Sequence, residues 1–242
     1  LKLLKGIMGR PRTYVLNENV FTNIDTEEKA YWFGFIFADG YISVSFAGQH
    51  IVGIKLKAGE SSFLEKFTEF IETDQPIKFG KSENKFGKVE FCYIIISSKK
   101  MVDDLVKNGL QFRKSNITIF PNIEESLIRH FIRGYIDGDG SFFPAKGGKR
   151  SKTYSLGFNV LGTKEFLEIL NSYLPFPVPL YKENRTEYTY YLSTAVGLNK
   201  AVLLYDFLYL DAQIFLNRKL QVFIEYFKQK TFNDYNHCTP CG

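Results

Sequence analysis

Apolar positions along this chain fall into two kinds of run. Phe63, Leu64, Phe67, Phe70 and Ile71 are spaced as one face of a helix, and residues 166–174 repeat that stripe. Residues 41–46, 51–56, 88–96, 154–161 and 187–192 are rich in β-branched and aromatic residues and predict strands. The runs at 93–98 and 190–194 each lead into a helix-like segment, at 99–106 and 198–208. Before the first strand a helix is expected from Asp25, as N-cap, with Glu27 and Glu28 in its positive first turn. It should stop at Gly40, which can take the left-handed conformation past a helix end. A matching helix follows Pro121-Asn122, carries Glu124 and Glu125 in its first turn, and stops at Gly140.

The order of elements is thus the same twice, and residues repeat with it. Trp32-Phe33-Gly34-Phe35-Ile36-Phe37-Ala38-Asp39-Gly40 aligns with Ile132-Arg133-Gly134-Tyr135-Ile136-Asp137-Gly138-Asp139-Gly140, a century of residues later. Phe63-Leu64-Glu65 aligns with Phe166-Leu167-Glu168. The chain reads as a duplicated unit: an N-terminal arm over 1–24, a first unit over 25–110, a polar linker over 111–122, a second unit over 123–230 and a tail over 231–242. Each unit runs helix, strands, helix, strands, helix, an α+β architecture.

Composition narrows the function classes. With 242 residues, 45% apolar and 24% charged, the chain is ordinary globular protein. The longest uncharged apolar run of the first half, residues 30–38, is far short of the ~20 residues that span a bilayer, so no membrane partner is expected. The charged start, Leu1-Lys2-Leu3-Leu4-Lys5, gives no support for export. Three cysteines (Cys92, Cys238 and Cys241) cannot build a disulfide framework and fit an intracellular, reducing setting. His237-Cys238 and Cys241 look like half a zinc site with no second pair. A net charge of +5 permits a nucleic-acid partner without requiring one. The basic residues are gathered: Lys78, Lys81, Lys85 and Lys88 against one acid, and Lys146, Lys149, Arg150 and Lys152 against none. Solvated turns would account for that clustering as well as a ligand would.

The repeated nonapeptide carries the chemistry. Gly34 and Ala38, like Gly134 and Gly138, are four apart and share a helix face, so two such stripes let two backbones approach below the usual ~8–10 Å. Asp39 and Asp139 stand at the negative ends of their helices, which costs roughly 0.3–1 kcal/mol each. Helices packed side by side and parallel would bring the two carboxylates together, and they would then need a counter-charge. A hard divalent cation is the natural one. An Asp-Gly turn explains either copy alone, but not their recurrence in the same phase.

These nonapeptides resemble the motif of the LAGLIDADG homing endonucleases in their two-motif, single-chain form. The resemblance covers about residues 25–230 and is most specific in Gly134 to Gly140; the first copy departs from the pattern at Phe37. It implies a monomeric saddle of two pseudo-symmetric αββαββα units, with the motif helices at the central interface and a sheet from each half in the DNA major groove. It implies an endonuclease that makes a staggered break in double-stranded DNA at a long target site by divalent-metal-dependent hydrolysis. The metal-binding acids would be Asp39 and Asp139, with the carbonyls of Ala38 and Gly138 as further ligands. The ion would be Mg²⁺, with Mn²⁺ or Ca²⁺ able to substitute for binding. Asp137 would serve local structure. A lysine late in each unit would polarise the phosphate or water; Lys114 and Lys219 fit that place, and ordinary surface lysines would too. The polar residue expected near the end of the second strand is replaced here by Ala58-Gly59 and Gly162-Thr163.

For DNA contact, strand alternation puts Lys55 and Lys57 on one face, with Lys78, Lys81, Lys85 and Lys88 on a neighbouring hairpin. Lys146, Arg150, Lys152, Lys182 and Arg185 are the second unit's counterparts. Arg10 and Arg12 would follow a groove as an arm or remain a free basic tail. His130 lies about 13 Å up the helix from Asp139, too far to act as a base there. The high aromatic content sits mainly at core spacing, so packing explains it better than base stacking. Two alternatives share the scaffold: an intron maturase, whose partner would be intron RNA, and a DNA-binding protein without catalysis. Neither has a use for two metal-binding acids.

Overall fold

The computed structural model describes residues 12–84, 87–112, 119–146, 154–184 and 186–237, with the backbone alone at 84, 146 and 231–237. The first unit runs α1 (Glu27–Ala38), β1 (Gly40–Val44), β2 (His50–Lys57), a short 3-10 turn (Ala58–Glu60), α2 (Ser61–Phe70), β3 (Lys78–Asn84), β4 (Gly87–Ser97) and α3 (Lys99–Lys107). The second runs α4 (Glu125–Asp139), β5 (Gly140–Lys146), β6 (Tyr154–Gly162), α5 (Lys164–Tyr173), β7 (Leu180–Lys182), β8 (Tyr190–Val196), α6 (Leu198–Tyr209) and α7 (Asn217–His237). The fold is α+β, two αββαββα units with α7 added at the end. Each unit has one four-stranded antiparallel sheet, ordered β1-β2-β4-β3 and β5-β6-β8-β7. No described helix is long and apolar enough to cross a membrane.

Local chemistry corrects two expectations. Thr26, not Asp25, caps α1: its side chain accepts from the Lys29 N–H, while Asp25 pairs with the Lys29 ammonium at 2.7 Å. Gly40 and Gly140 are not left-handed. Gly140 is extended (φ −79°, ψ 163°), and each glycine opens a strand directly. Both need glycine because of close approach: a Cβ would lie 2.7 Å from Cα of Ile36 at Gly40 and 2.5 Å from the oxygen of Ile136 at Gly140.

Between the sheets and helices lies an aromatic core. Trp32 of α1 packs on Phe63, Phe67 and Phe70 of α2. In the second unit Tyr135 meets Phe166, with ring centroids 4.5 Å apart. Phe37, where the motif departs from its pattern, crosses the unit boundary and packs against Phe131 and Phe166.

Candidate active site and nucleic-acid face

The two motif helices lie side by side in parallel. A Cβ at Gly34 would overlap the carbonyl oxygen of Phe131, and one at Gly134 would overlap that of Tyr31. Four residues on, a Cβ at Gly138 would sit 2.5 Å from Cβ of Ala38 and 3.5 Å from Cβ of Asp39. The glycine stripe therefore sets backbone on backbone with no room for a methyl group. Because contacts advance together along both helices, α1 and α4 end at the same place, where Asp39 and Asp139 stand half-buried. Asp39 is the C-cap of α1 and Asp139 the last residue of α4.

Lys219, in the first turn of α7, completes the cluster. It is 4% exposed, and its ammonium donates to the carbonyl of Gly140. Burial and the neighbouring Arg218 hold its pKa down to about 8, against the pull of Asp137, Asp39 and Asp139. One buried lysine thus feels both motif carboxylates. Lys114 lies outside the described residues.

Asp137 has the structural role expected of it. It is fully buried, and burial raises its pKa. Its carboxylate accepts from the Tyr31 hydroxyl of α1, the Tyr209 hydroxyl of α6 and the Leu216 N–H before α7, each at 2.8 Å. It ties three elements together and so fixes the start of the helix that carries Lys219. His130 is engaged elsewhere, its Nδ1 meeting Arg133 at 2.9 Å and its Nε2 lying 3.5 Å from Glu27.

Sequence reasoning missed the pair beside Lys219. Arg218 is ion-paired through its Nε to Glu60, one residue beyond the Ala58-Gly59 pair, in the 3-10 turn that follows the second strand. The contact spans the units. The signal was a carboxylate one position further along than the pattern led one to look.

The donor set at the helix ends suits a hard cation. It comprises two carboxylates, with the carbonyls of Ala38 and Gly138 adjacent, all at negative helix ends. Among the described residues no group of three or more His, Cys, Asp or Glu side chains is assembled for a metal. Mg²⁺ does not require one, since it is commonly held by one or two carboxylates together with water and substrate phosphate oxygens.

Register separates the basic residues of the first unit. Lys55 pairs with Tyr93, which pairs with Lys78, and Lys57 pairs with Phe91, so these three lysines share the outward face of the sheet. The Lys55 ammonium lies 3.5 Å from the Phe91 ring centroid, a cation–π contact. Lys81 and Lys88 take the opposite parity, across from Glu90 and Glu83, and Lys81 is ion-paired to Glu90 at 2.6 Å. In the second unit Lys182, exposed, falls at the core-side parity of β7. Lys85, Arg150, Lys152 and Arg185 lie outside the described residues, as do Arg10, Cys238 and Cys241, and the side chain of Lys146 is not described. Arg12 is tied down, donating to the Ser97 carbonyl at 3.0 Å and pairing with Glu18 at 2.5 Å.

Two units joined by parallel glycine-stripe helices, with one acid at each helix end, define a fold class, and solved structures of that class match the chain. The DNA-bound LAGLIDADG homing endonuclease I-SmaMI is similar over 87% of this chain and 91% of its own, at 18% identity and a TM-score of 0.58. I-GzeII, in complex with its DNA target, is 16% identical over 87% and 92%, with a TM-score of 0.57. I-LtrWI, bound to target DNA, is 12% identical over 89% and 92%, with a TM-score of 0.57. The chain has the two-unit, single-chain LAGLIDADG fold. No family model and no curated protein matches the sequence.

Proposed function

We propose that this protein is a site-specific, divalent-metal-dependent double-stranded DNA endonuclease. The observation that carries the reading is the convergence of Asp39 and Asp139 at the ends of the packed helices, with Lys219 beside them. Solved structures similar to it include DNA complexes of homing endonucleases, among them I-SmaMI on cleaved DNA and on an uncleaved target in the presence of calcium ions.

Asp39 and Asp139, with the carbonyls of Ala38 and Gly138, would hold Mg²⁺. Bound there, the ion would supply hydroxide at neutral pH and neutralise charge on the leaving oxygen. Lys219 adds a buried positive charge beside the scissile phosphate. Because that ammonium is already partly desolvated, it acts on developing negative charge without reorganising water. Pseudo-twofold symmetry presents one acid to each strand, which favours a staggered double-strand break. The outward sheet faces on either side would lie in the major groove.

The test is incubation with a randomised duplex library and Mg²⁺, followed by sequencing of the cut ends. Asp139→Asn should abolish cleavage and leave DNA binding in Ca²⁺ nearly intact. Cutting that persists in this variant removes the carboxylate pair from the mechanism. Retention of RNA but no duplex by the wild-type protein would replace this reading with the maturase one.

A further inference from the structure

Among the described residues the outward faces of the two sheets differ in charge. The first carries Lys55, Lys57 and Lys78 among apolar side chains, with Tyr41 lying over Gly53, Phe91 over Gly80, and Ile95 exposed between the strands. The second presents Phe143 from β5, Leu161 and Asn159 from β6, Tyr191 and Ala195 from β8, and Tyr181 from β7, with Ser141, Ser155 and Ser193 between them. Among the described residues on that face none is basic. Phe143 is 43% exposed, Leu161 40% and Tyr181 47%, although each points away from the core. Phe143 lies over Gly157, where a Cβ would collide with its ring, and Tyr181 stacks on Tyr191 at 5.4 Å. The rings are thus seated on the sheet, and their apolar surface is shaped before any ligand arrives. The face is continuous with the site, since β5 starts directly after Asp139.

We infer that the second unit reads its half of the target chiefly by apolar contact with thymine C5-methyl groups. The only strongly apolar feature on a major-groove base edge is that methyl, and aromatic and small aliphatic side chains are its usual partners. The first unit's outward lysines suit guanine O6 and N7 or phosphate oxygens instead. The inference rests on the endonuclease reading and adds to it a chemical asymmetry between the two half-sites.

The test uses the wild-type protein and the best duplex from the library selection. In one DNA the thymines of one half are replaced by deoxyuridine, in another those of the opposite half. Binding in Ca²⁺ and cutting in Mg²⁺ are then measured. The expected result is that one half is methyl-dependent, weakening by about fourfold for each contacted methyl, as burial of about 0.8 kcal/mol per methyl-sized group implies. The other half, where lysines share the face with the rings, should respond less. Phe143→Asn and Leu161→Asn, changes at exposed positions, should each erase part of that dependence and relax selection in the same half. If both halves respond alike, or neither responds while cutting stays normal, the asymmetry is wrong and the endonuclease reading stands. If no duplex is bound or cut, both fall.

Discussion

Positions 37 and 137 show how one motif position is used in two ways. Phe37 gives its bulk to the second unit's aromatic cluster, whereas Asp137 gives its charge to a three-way bridge. An amide at 137 cannot accept all three donors, and its NH₂ would face at least one of them. Asp137→Asn should therefore cost about 1–3 kcal/mol for each orphaned donor, read by denaturant unfolding, and should lower cleavage per folded molecule far less than Asp139→Asn does. Full stability with lost cleavage would make Asp137 a chemical group instead of a bridge. His130 gives a second test at this scale. Burial first, then Arg133, lowers its pKa to about 4, with Glu27 opposing. Its unfolded value is about 6.5, so the unfolded chain takes up a proton that the folded one refuses. This group's contribution is present above pH 6.5, falls as pH drops to 4 and is level below that. The loss is on the order of 2–3 kcal/mol. His130→Gln should flatten the decline of Tm across that window relative to wild type; an identical slope in the two proteins would refute it.

At the scale of elements, the motif helices depend on glycine more than on any side chain. At both Gly34 and Gly134 a methyl group would meet the opposing helix's backbone, which cannot give way as a side chain would. Gly134→Ala should cost at least the ~1–3 kcal/mol typical of overpacking and should lower cleavage together with stability, because the helix ends would shift apart. Calorimetry and a cleavage assay on the same preparation check this. Gly59→Ala, at a position open to solvent, is the control expected to do neither. These helices were legible because four-residue spacing and a repeat at constant offset survive in sequence. Other elements were not. β5 contains Pro144, which argues against a strand, yet β5 lies at the sheet edge, where a missing N–H is tolerated. The helix α7 runs from Asn217 to His237, past the position where a tail was expected to begin. Its polar stretches hide a short apolar stripe, Phe223 and Tyr226, that docks on the second unit. Lys219 was reachable by its place in the chain, but its burial depends on Gly140 and Asp137, 79 and 82 positions away. The partition of the hairpin lysines needed the strand register, which composition does not contain.

For the whole molecule, that partition makes the salt response a quantitative test. Neutralising a duplex phosphate contributes a slope of about −0.9 to log K against log salt. If Lys55, Lys57 and Lys78 each meet one phosphate, replacing all three with Ala should reduce the slope by about 2.7. Between 50 and 200 mM salt the wild-type protein should then lose roughly fortyfold more affinity than the triple variant. Lys81→Ala should change the slope little, because Lys81 lies at the opposite parity and is already paired with Glu90. Fluorescence anisotropy with a fixed duplex in Ca²⁺ measures both without cleavage. The three substitutions lie on an exposed face, so unfolding is not expected to intrude, and a thermal melt of the variant verifies that. A slope change equal for Lys81→Ala and for any one of the three would mean that the duplex meets the hairpin from both sides. An unchanged slope in the triple variant would move the electrostatic footprint off this sheet, and the proposed placement of the first unit in the groove would go with it.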